Sequence, residues 1–133
     1  MQNLSKTTIE KLEKIGRTTT AETTESIRQR FVDSKIPQFD PIIEAFLQFG
    51  GYSLPFRLEG RFNILRAKAA LRMLRFCGEV SNDPLEMRIP FGESETIQAQ
   101  YTMDGLGRIY EDEIRIAESL ANWIEAWANS NHV

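Results

Sequence analysis

Residues 36–54, IPQFDPIIEAFLQFGGYSL, decide the fold, because they predict an extended entry, a helix, a stop and a strand in direct succession. Asp40 is typical of a helix N-cap, where a carboxylate accepts hydrogen bonds from the free N–H groups of the first turn. Pro41 suits the first helical position, since its missing N–H costs nothing there. Gly50 and Gly51 can take the left-handed conformation that ends a helix, and β-type residues follow them.

The helix within this stretch is apolar on most of its sides. Its apolar residues are Ile42, Ile43, Ala45, Phe46, Leu47 and Phe49. A short helix with so little polar surface has to be buried between other elements. We therefore expect it at the centre of the core.

The composition is that of one globular domain. The chain has 133 residues, of which 41% are hydrophobic and 26% charged, enough to bury a sizeable core. No apolar run is long enough to cross a membrane, and the first residues lack the apolar core of a secretory signal. A single cysteine, Cys77, suits a reducing cytoplasm. We expect a cytoplasmic protein with no membrane partner, in which residues 1–11 and 129–133 are peripheral.

Hydrophobic periodicity predicts the remaining elements. Helices are expected at 4–15, 23–34, 63–76 and 116–128, and strands at 52–58, 86–91, 96–103 and 107–111, with residues 61–65 also compatible with a strand. Ile27, Phe31 and Val32 are expected to face inward, and Trp123 and Trp127 lie on the apolar face of the last helix. Pro90 predicts an edge or a bulge, and Asp104-Gly105 predicts a hairpin turn. The predicted fold is α+β: a single domain with a mainly antiparallel twisted sheet of about four to six strands, packed against N-terminal helices and a C-terminal amphipathic helix.

Charge is distributed unevenly along the chain. The net charge is −3, yet residues 93–133 hold eight acidic and two basic side chains, whereas residues 57–92 hold seven basic and four acidic ones. The acidic third favours basic partners and disfavours nucleic acid. Lys68, Arg72 and Arg75 share one side of a predicted helix, which we interpret as a solvated or partner-facing surface.

No set of catalytic residues emerges. The only histidine is His132, close to the end of the chain, so a serine or cysteine nucleophile has no central base. Cys77 fits a small core residue better than a nucleophile. The chain lacks the cysteines and histidines of a zinc site, and its glycines lack the spacing of a phosphate loop. We predict no catalytic residues, no metal and no cofactor.

Five short motifs, in order, resemble one family. They are Gly16-Arg17 after the first helix, FLQFGG from Phe46 to Gly51, the turn Pro90-Phe91-Gly92, DGLGRIY at 104–110 with Gly105 and Gly107, and a closing amphipathic helix. Together they resemble the SUKH superfamily, the bacterial immunity proteins related to yeast cell-wall regulators, and most closely its third named branch. The resemblance spans roughly residues 12–127.

The resemblance implies a non-enzymatic cytoplasmic protein that binds and neutralises a cognate polymorphic toxin, often a nuclease or a deaminase. An acidic surface suits that task, because a nuclease site is lined with cations that hold phosphates. The candidate toxin-binding residues are Glu93, Glu95, Asp104, Glu111, Asp112 and Glu113. Two alternatives stay open. One is a small-molecule or peptide sensor near Gly50-Gly51. The other is a scaffold that dimerises through Ala67, Leu71 and Leu74. The protein is expected to be a monomer or a homodimer.

Overall fold

The computed structural model describes residues 4–17, 22–56 and 60–130. Within these ranges the chain forms five helices and six strands. In order they are α1 (Lys6–Ile15), α2 (Thr24–Asp33), α3 (Asp40–Phe49), β1 (Ser53–Pro55), β2 (Arg61–Ile64), α4 (Ala67–Met73), β3 (Ile89–Ser94), β4 (Tyr101–Met103), β5 (Ile109–Glu111), β6 (Ile114–Ala117) and α5 (Leu120–Ala128). The strands form one sheet in chain order, and each neighbouring pair is antiparallel. The predicted α+β fold is confirmed.

The central position of α3 is also confirmed. Ile42, Ile43 and Phe49 are almost completely buried, and the ring of Phe46 lies 6.4 Å from that of Phe31 on α2. Gly50 is the C-cap residue of the helix and is not left-handed, because its φ is −57°. Gly51, the next residue, takes the predicted left-handed conformation with a φ of 92°.

The predicted N-cap of this helix is wrong. α3 begins at Asp40, so Phe39 is the N-cap residue and supplies no side-chain cap. Pro41 is consequently the second helical residue rather than the first. The Asp40 carboxylate accepts a hydrogen bond from Arg28 Nη2 at 2.8 Å, which ties α3 to α2. In the first turn its negative charge also favours the positive end of the helix dipole.

Aromatic rings join the sheet to α5. The ring of Trp123 lies 4.7 Å from that of Phe62 and 6.1 Å from that of Phe91, and Tyr101 meets Phe62 edge-on at 4.8 Å. Such pairs contribute about 0.5–1.5 kcal/mol each beyond their buried area. Trp127, also buried, donates its indole N–H to Pro55 O at 2.7 Å. Both tryptophans therefore hold the core together.

Helix α1 is docked firmly on α5, although residues 1–11 were expected to be peripheral. Thr8 is fully buried, and its hydroxyl donates to the Glu125 carboxylate at 2.9 Å. The backbone N–H of Ser5 donates to the same carboxylate. These bonds, led by that of the Ser5 N–H, lower the pKa of Glu125 from its ordinary value. Residues 131–133 lie outside the described part of the chain.

The predictions for two segments differ from the structure in element type. Residues 63–76, predicted as a helix with a strand at 61–65 as the alternative, contain the end of β2 and then the shorter α4, so the strand alternative is correct for residues 61–64. Residues 114–117, of which the last two were predicted to begin the final helix, form β6 instead. In each case a strand forms because a neighbouring strand supplies backbone hydrogen bonds that no local pattern reveals.

Smaller differences concern boundaries and burial. Strand β3 begins and ends three residues later than predicted, and the bulge expected at Pro90 occurs between Pro90 and Gly92. The 104–107 hairpin is confirmed, with shorter strands than predicted. Residues 57–58 of the first predicted strand lie outside the described residues. Val32 does not face inward: it is 50% exposed.

Candidate functional site

The sheet has a second face, turned away from the aromatic core, along β3, β4 and β5. Side chains alternate across a strand. The paired residues Ile89, Met103 and Ile109 point into the core. Their neighbours Pro90, Thr102 and Tyr110 therefore line the opposite face.

Two adjoining grooves run across this face. The first, of about 250 Å³, is lined by residues that include Glu93, Gln100, Thr102 and Cys77. The second, of about 280 Å³, is lined by Gly78, Glu79, Glu86, Arg88, Gln100, Thr102, Asp112 and Glu113. Gln100 and Thr102 line both, so the two grooves adjoin. We call them together the acidic groove, after their five carboxylates: Glu79, Glu86, Glu93, Asp112 and Glu113.

The turn between β5 and β6 fixes one end of the acidic groove. Asp112 adopts a φ of 54°, a left-handed conformation that aspartate tolerates better than most residues. Its N–H donates to Gln100 O at 2.7 Å, and its carboxylate accepts from Gln100 N at 3.0 Å. These two bonds lock Asp112 against β4. The next residue, Glu113, is exposed beside it.

Arg88 is the only cation among the residues lining the acidic groove, and it is held by neutral partners. Its guanidinium lies 4.0 Å from the centre of the Tyr110 ring. Nη1 donates to Leu85 O at 2.7 Å and to Met87 O at 2.9 Å. No described carboxylate forms an ion pair with it. Five carboxylates against one arginine leave the groove with a surplus of four negative charges.

The structure places three of the six predicted toxin-binding residues, Glu93, Asp112 and Glu113, in the acidic groove. Glu95 is exposed two residues beyond Glu93, and its carboxylate accepts from Asn63 Nδ2 at 3.3 Å. Glu111 belongs elsewhere: it is half-buried and accepts the Tyr101 hydroxyl at 3.0 Å. The predicted surface is therefore smaller than expected on this side of the sheet.

Asp104 is not a surface residue, which corrects the sequence prediction. It is 0% exposed. Its carboxylate accepts four hydrogen bonds: from Leu106 N at 2.9 Å, Arg108 N at 3.0 Å, Arg108 Nε at 2.7 Å and the Tyr110 hydroxyl at 2.9 Å. This hydrogen bonding raises the pKa of Arg108 above its ordinary value. Asp104 therefore organises the DGLGRIY segment from within.

Two carboxylates of the acidic groove, Glu79 and Glu86, were missed from the sequence. They lie on either side of a long loop that closes through an isolated antiparallel bridge between Glu79 and Arg88, with hydrogen bonds of 2.8 Å in both directions. Gly78 approaches so closely that a Cβ there would lie 2.4 Å from Arg88 O. The loop signal Ser81-Asn82-Asp83-Pro84 is readable in the sequence, but the bridge that folds it back is not.

Four further sequence predictions concern a metal site, a membrane span, Cys77 and His132. Within residues 4–17, 22–56 and 60–130, no three His, Cys, Asp or Glu side chains are grouped so as to hold a metal ion. None of the helices in these ranges has the length and apolar character to cross a membrane. Cys77 is half-buried at the rim of the first groove, and His132 lies outside the described residues.

Most of the residues named for the two alternative functions are buried. Gly50 and Gly51 are buried under β2, where Gly51 N donates to Ile64 O at 2.9 Å. A Cβ on Gly50 would lie 2.7 Å from Phe46 O. Ala67 and Leu74, two of the three residues proposed for a dimer contact, are buried in the protein's own core.

No protein-family model, curated protein or solved structure matches this chain.

Proposed function

We propose that this protein is a non-enzymatic immunity protein of the SUKH type, which binds a cognate polymorphic toxin in the cytoplasm and blocks it. The toxin would be a nuclease or a deaminase, as the sequence resemblance implies. The acidic groove is the observation that carries the proposal. It brings Glu93, Asp112 and Glu113 together with Glu79 and Glu86, which are distant in the sequence.

The mechanism is electrostatic complementarity. An enzyme that cuts or edits nucleic acid holds the phosphate backbone with lysine and arginine side chains. Carboxylates on the acidic groove can pair with those cations in place of phosphate, so this protein and nucleic acid compete for the toxin. Long-range attraction between the two charged surfaces also speeds their encounter, which matters when a toxin must be captured before it acts.

The rigidity of the acidic groove suits this role. Asp112 is fixed to Gln100 by two hydrogen bonds, and Glu93 lies within the paired part of β3, opposite Asn63. Carboxylates held on strands and tight turns lose little freedom on binding, so more of the attraction appears as affinity.

The test is co-expression with a candidate polymorphic-toxin domain taken from the neighbourhood of this gene. We expect the cells to survive the toxin when this protein is present, and the two proteins to purify as a one-to-one complex. A catalytically inactive toxin variant serves as the control for expression load. Continued killing, with the protein folded and abundant, would remove the immunity function while leaving the fold unaffected.

A further inference from the structure

A second, larger groove lies between α2 and α4 and has the opposite charge. It has a volume of about 730 Å³, and the charged side chains that line it are those of Arg30, Asp33, Lys35, Lys68, Arg72 and Arg75. Five of these side chains are basic and one is acidic. We call it the basic groove. None of its lining residues contributes to the acidic groove.

Four of the five basic side chains have no ion-pair partner within the described chain. Arg30 binds Glu22 at 3.0 Å. In contrast, no described carboxylate pairs with Lys35, Lys68, Arg72 or Arg75. All four are exposed. Like charges gathered in one groove repel one another, and an anionic partner removes that repulsion.

The basic groove also has an apolar component. Ile36 and Leu71 are half-buried, and Val80 is 48% exposed. A ligand that fits must therefore combine negative charge with aliphatic groups. This combination is found in a peptide whose acidic residues alternate with leucine-like ones.

Nucleic acid fits the basic groove less well. Single-stranded nucleic acid is held by aromatic side chains on which bases stack, and no aromatic residue lines this groove. Asp33 contributes a negative charge to the same lining, and the whole chain carries a net charge of −3. Both oppose a long polyanion more than a short acidic segment.

We propose that the basic groove is a second binding site, which takes an acidic segment of a protein partner that also carries apolar side chains. Glutamate or aspartate residues of the segment pair with Lys68, Arg72 and Arg75, while its aliphatic side chains cover Leu71 and Val80. The proposal does not depend on the immunity function, because the basic groove shares no lining residue with the acidic groove.

The first test is a fluorescence anisotropy titration of the 133-residue chain with three labelled probes. One probe is a peptide of alternating glutamate and leucine residues, the second its glutamine counterpart, and the third a single-stranded RNA of equal charge. We expect the glutamate peptide to bind, to be weakened by added salt, and to bind more tightly than the other two. Tighter binding of RNA, equal binding of the glutamine peptide, or no binding of the glutamate peptide would each overturn the proposal.

The second test uses charge reversal. Combining K68E, R72E and R75E is expected to weaken peptide binding at least tenfold. The matched control combines K6E, K14E and R115E, exposed cations outside the basic groove, and should bind as the unchanged protein does. Equal loss in both variants would show a general charge effect and contradict a specific site.

Lys35 allows the binding role to be separated from stability. It has a φ of 58°, directly after the end of α2, where glycine is the preferred residue. Lys35→Gly should therefore not lower the thermal midpoint, yet it should weaken binding of the glutamate peptide several-fold. Unchanged peptide affinity in this variant, together with unchanged affinity in the triple reversal, would rule out the basic groove as the binding site.

Discussion

Replacing Asp104 with alanine tests the structural reading of the DGLGRIY segment most severely. The carboxylate is 0% exposed and accepts four hydrogen bonds. Two come from backbone N–H groups of the turn, one from a guanidinium and one from a phenol. Alanine would leave these donors without their acceptor at a buried position.

The magnitude follows from the number and kind of bonds. All four bonds end on a carboxylate, and a hydrogen bond that involves a charged group contributes about 1.5–3 kcal/mol. Since partial resolvation of the turn recovers some of this, we expect Asp104→Ala to lower the free energy of unfolding by about 4 kcal/mol. For a chain of this size the thermal midpoint should fall by roughly 15 °C.

The assay is urea and thermal denaturation followed by circular dichroism. Asp33→Ala is the matched control, because Asp33 is exposed and accepts one hydrogen bond from Gln29 Nε2; it should change stability by less than about 1 kcal/mol. A double-mutant cycle between Asp104→Asn and Tyr110→Phe should also show a coupling energy, as the two side chains are in contact at 2.9 Å. A loss for Asp104→Ala no larger than that of the control would refute the buried position of this carboxylate.

Three further changes have defined expectations. Gly92→Ala places a Cβ 2.2 Å from Phe62 Cε1 inside the core, so we expect about 1–3 kcal/mol of destabilisation by urea denaturation; stability equal to that of the unchanged protein would contradict the packing at the bulge. Trp127→Phe removes the hydrogen bond to Pro55 O and should cost about 1–2 kcal/mol in the same assay, whereas no loss would show that this bond is absent in solution. Glu125→Gln tests the link between α1 and α5. Because the pKa of Glu125 is lowered in the folded protein, its contribution to stability is complete above the ordinary carboxyl pKa and is lost as the pH falls through the lowered value. The difference in thermal midpoint between the unchanged protein and E125Q should thus be largest near neutral pH and should disappear in acid. A difference that grows in acid would contradict the contacts assigned to Glu125.

Local sequence pattern was sufficient for the elements that are apolar enough to have only one place in the fold. α3 is the clearest example, since a helix with five buried positions in ten residues has to occupy the core. The hairpin at Asp104 was equally readable from its turn residues. In both cases the signal lies within a few consecutive residues.

Tertiary pairing decided the elements that the local sequence left open or predicted wrongly. Residues 61–64 are compatible with a strand but lie beside a run of excellent helix formers, and pairing with β1 on one side and β3 on the other selects the strand. β6 follows a two-residue turn made of Asp112 and Glu113, which lacks the Asn-Gly or Asp-Gly signature of such turns. The sequence therefore shows no hairpin here, and residues 116–117 were predicted to begin the final helix.

Only part of the candidate site could be predicted from the sequence, because tertiary contacts decide where its other residues lie. Glu93, Asp112 and Glu113 were identified from the acidic bias of residues 93–133, which is a property of composition. The burial of Asp104 could not be read in that way, because a turn aspartate faces solvent in many hairpins and is buried here by Tyr110 and Arg108. Glu79 and Glu86 join the acidic groove only through the bridge to Arg88.

The measurement that tests the central claim most directly is isothermal titration calorimetry. A catalytically inactive form of the toxin domain used in the co-expression test is titrated with the unchanged protein and with two charge-reversed variants. The first combines E93K, D112K and E113K in the acidic groove. The second combines E10K, E13K and E44K, exposed acidic residues elsewhere, and changes the net charge equally. We predict that the first variant loses at least tenfold in affinity, while the second stays close to the unchanged protein. Equal affinities for all three proteins, with their folds intact by circular dichroism, would contradict the acidic groove as the toxin-binding surface.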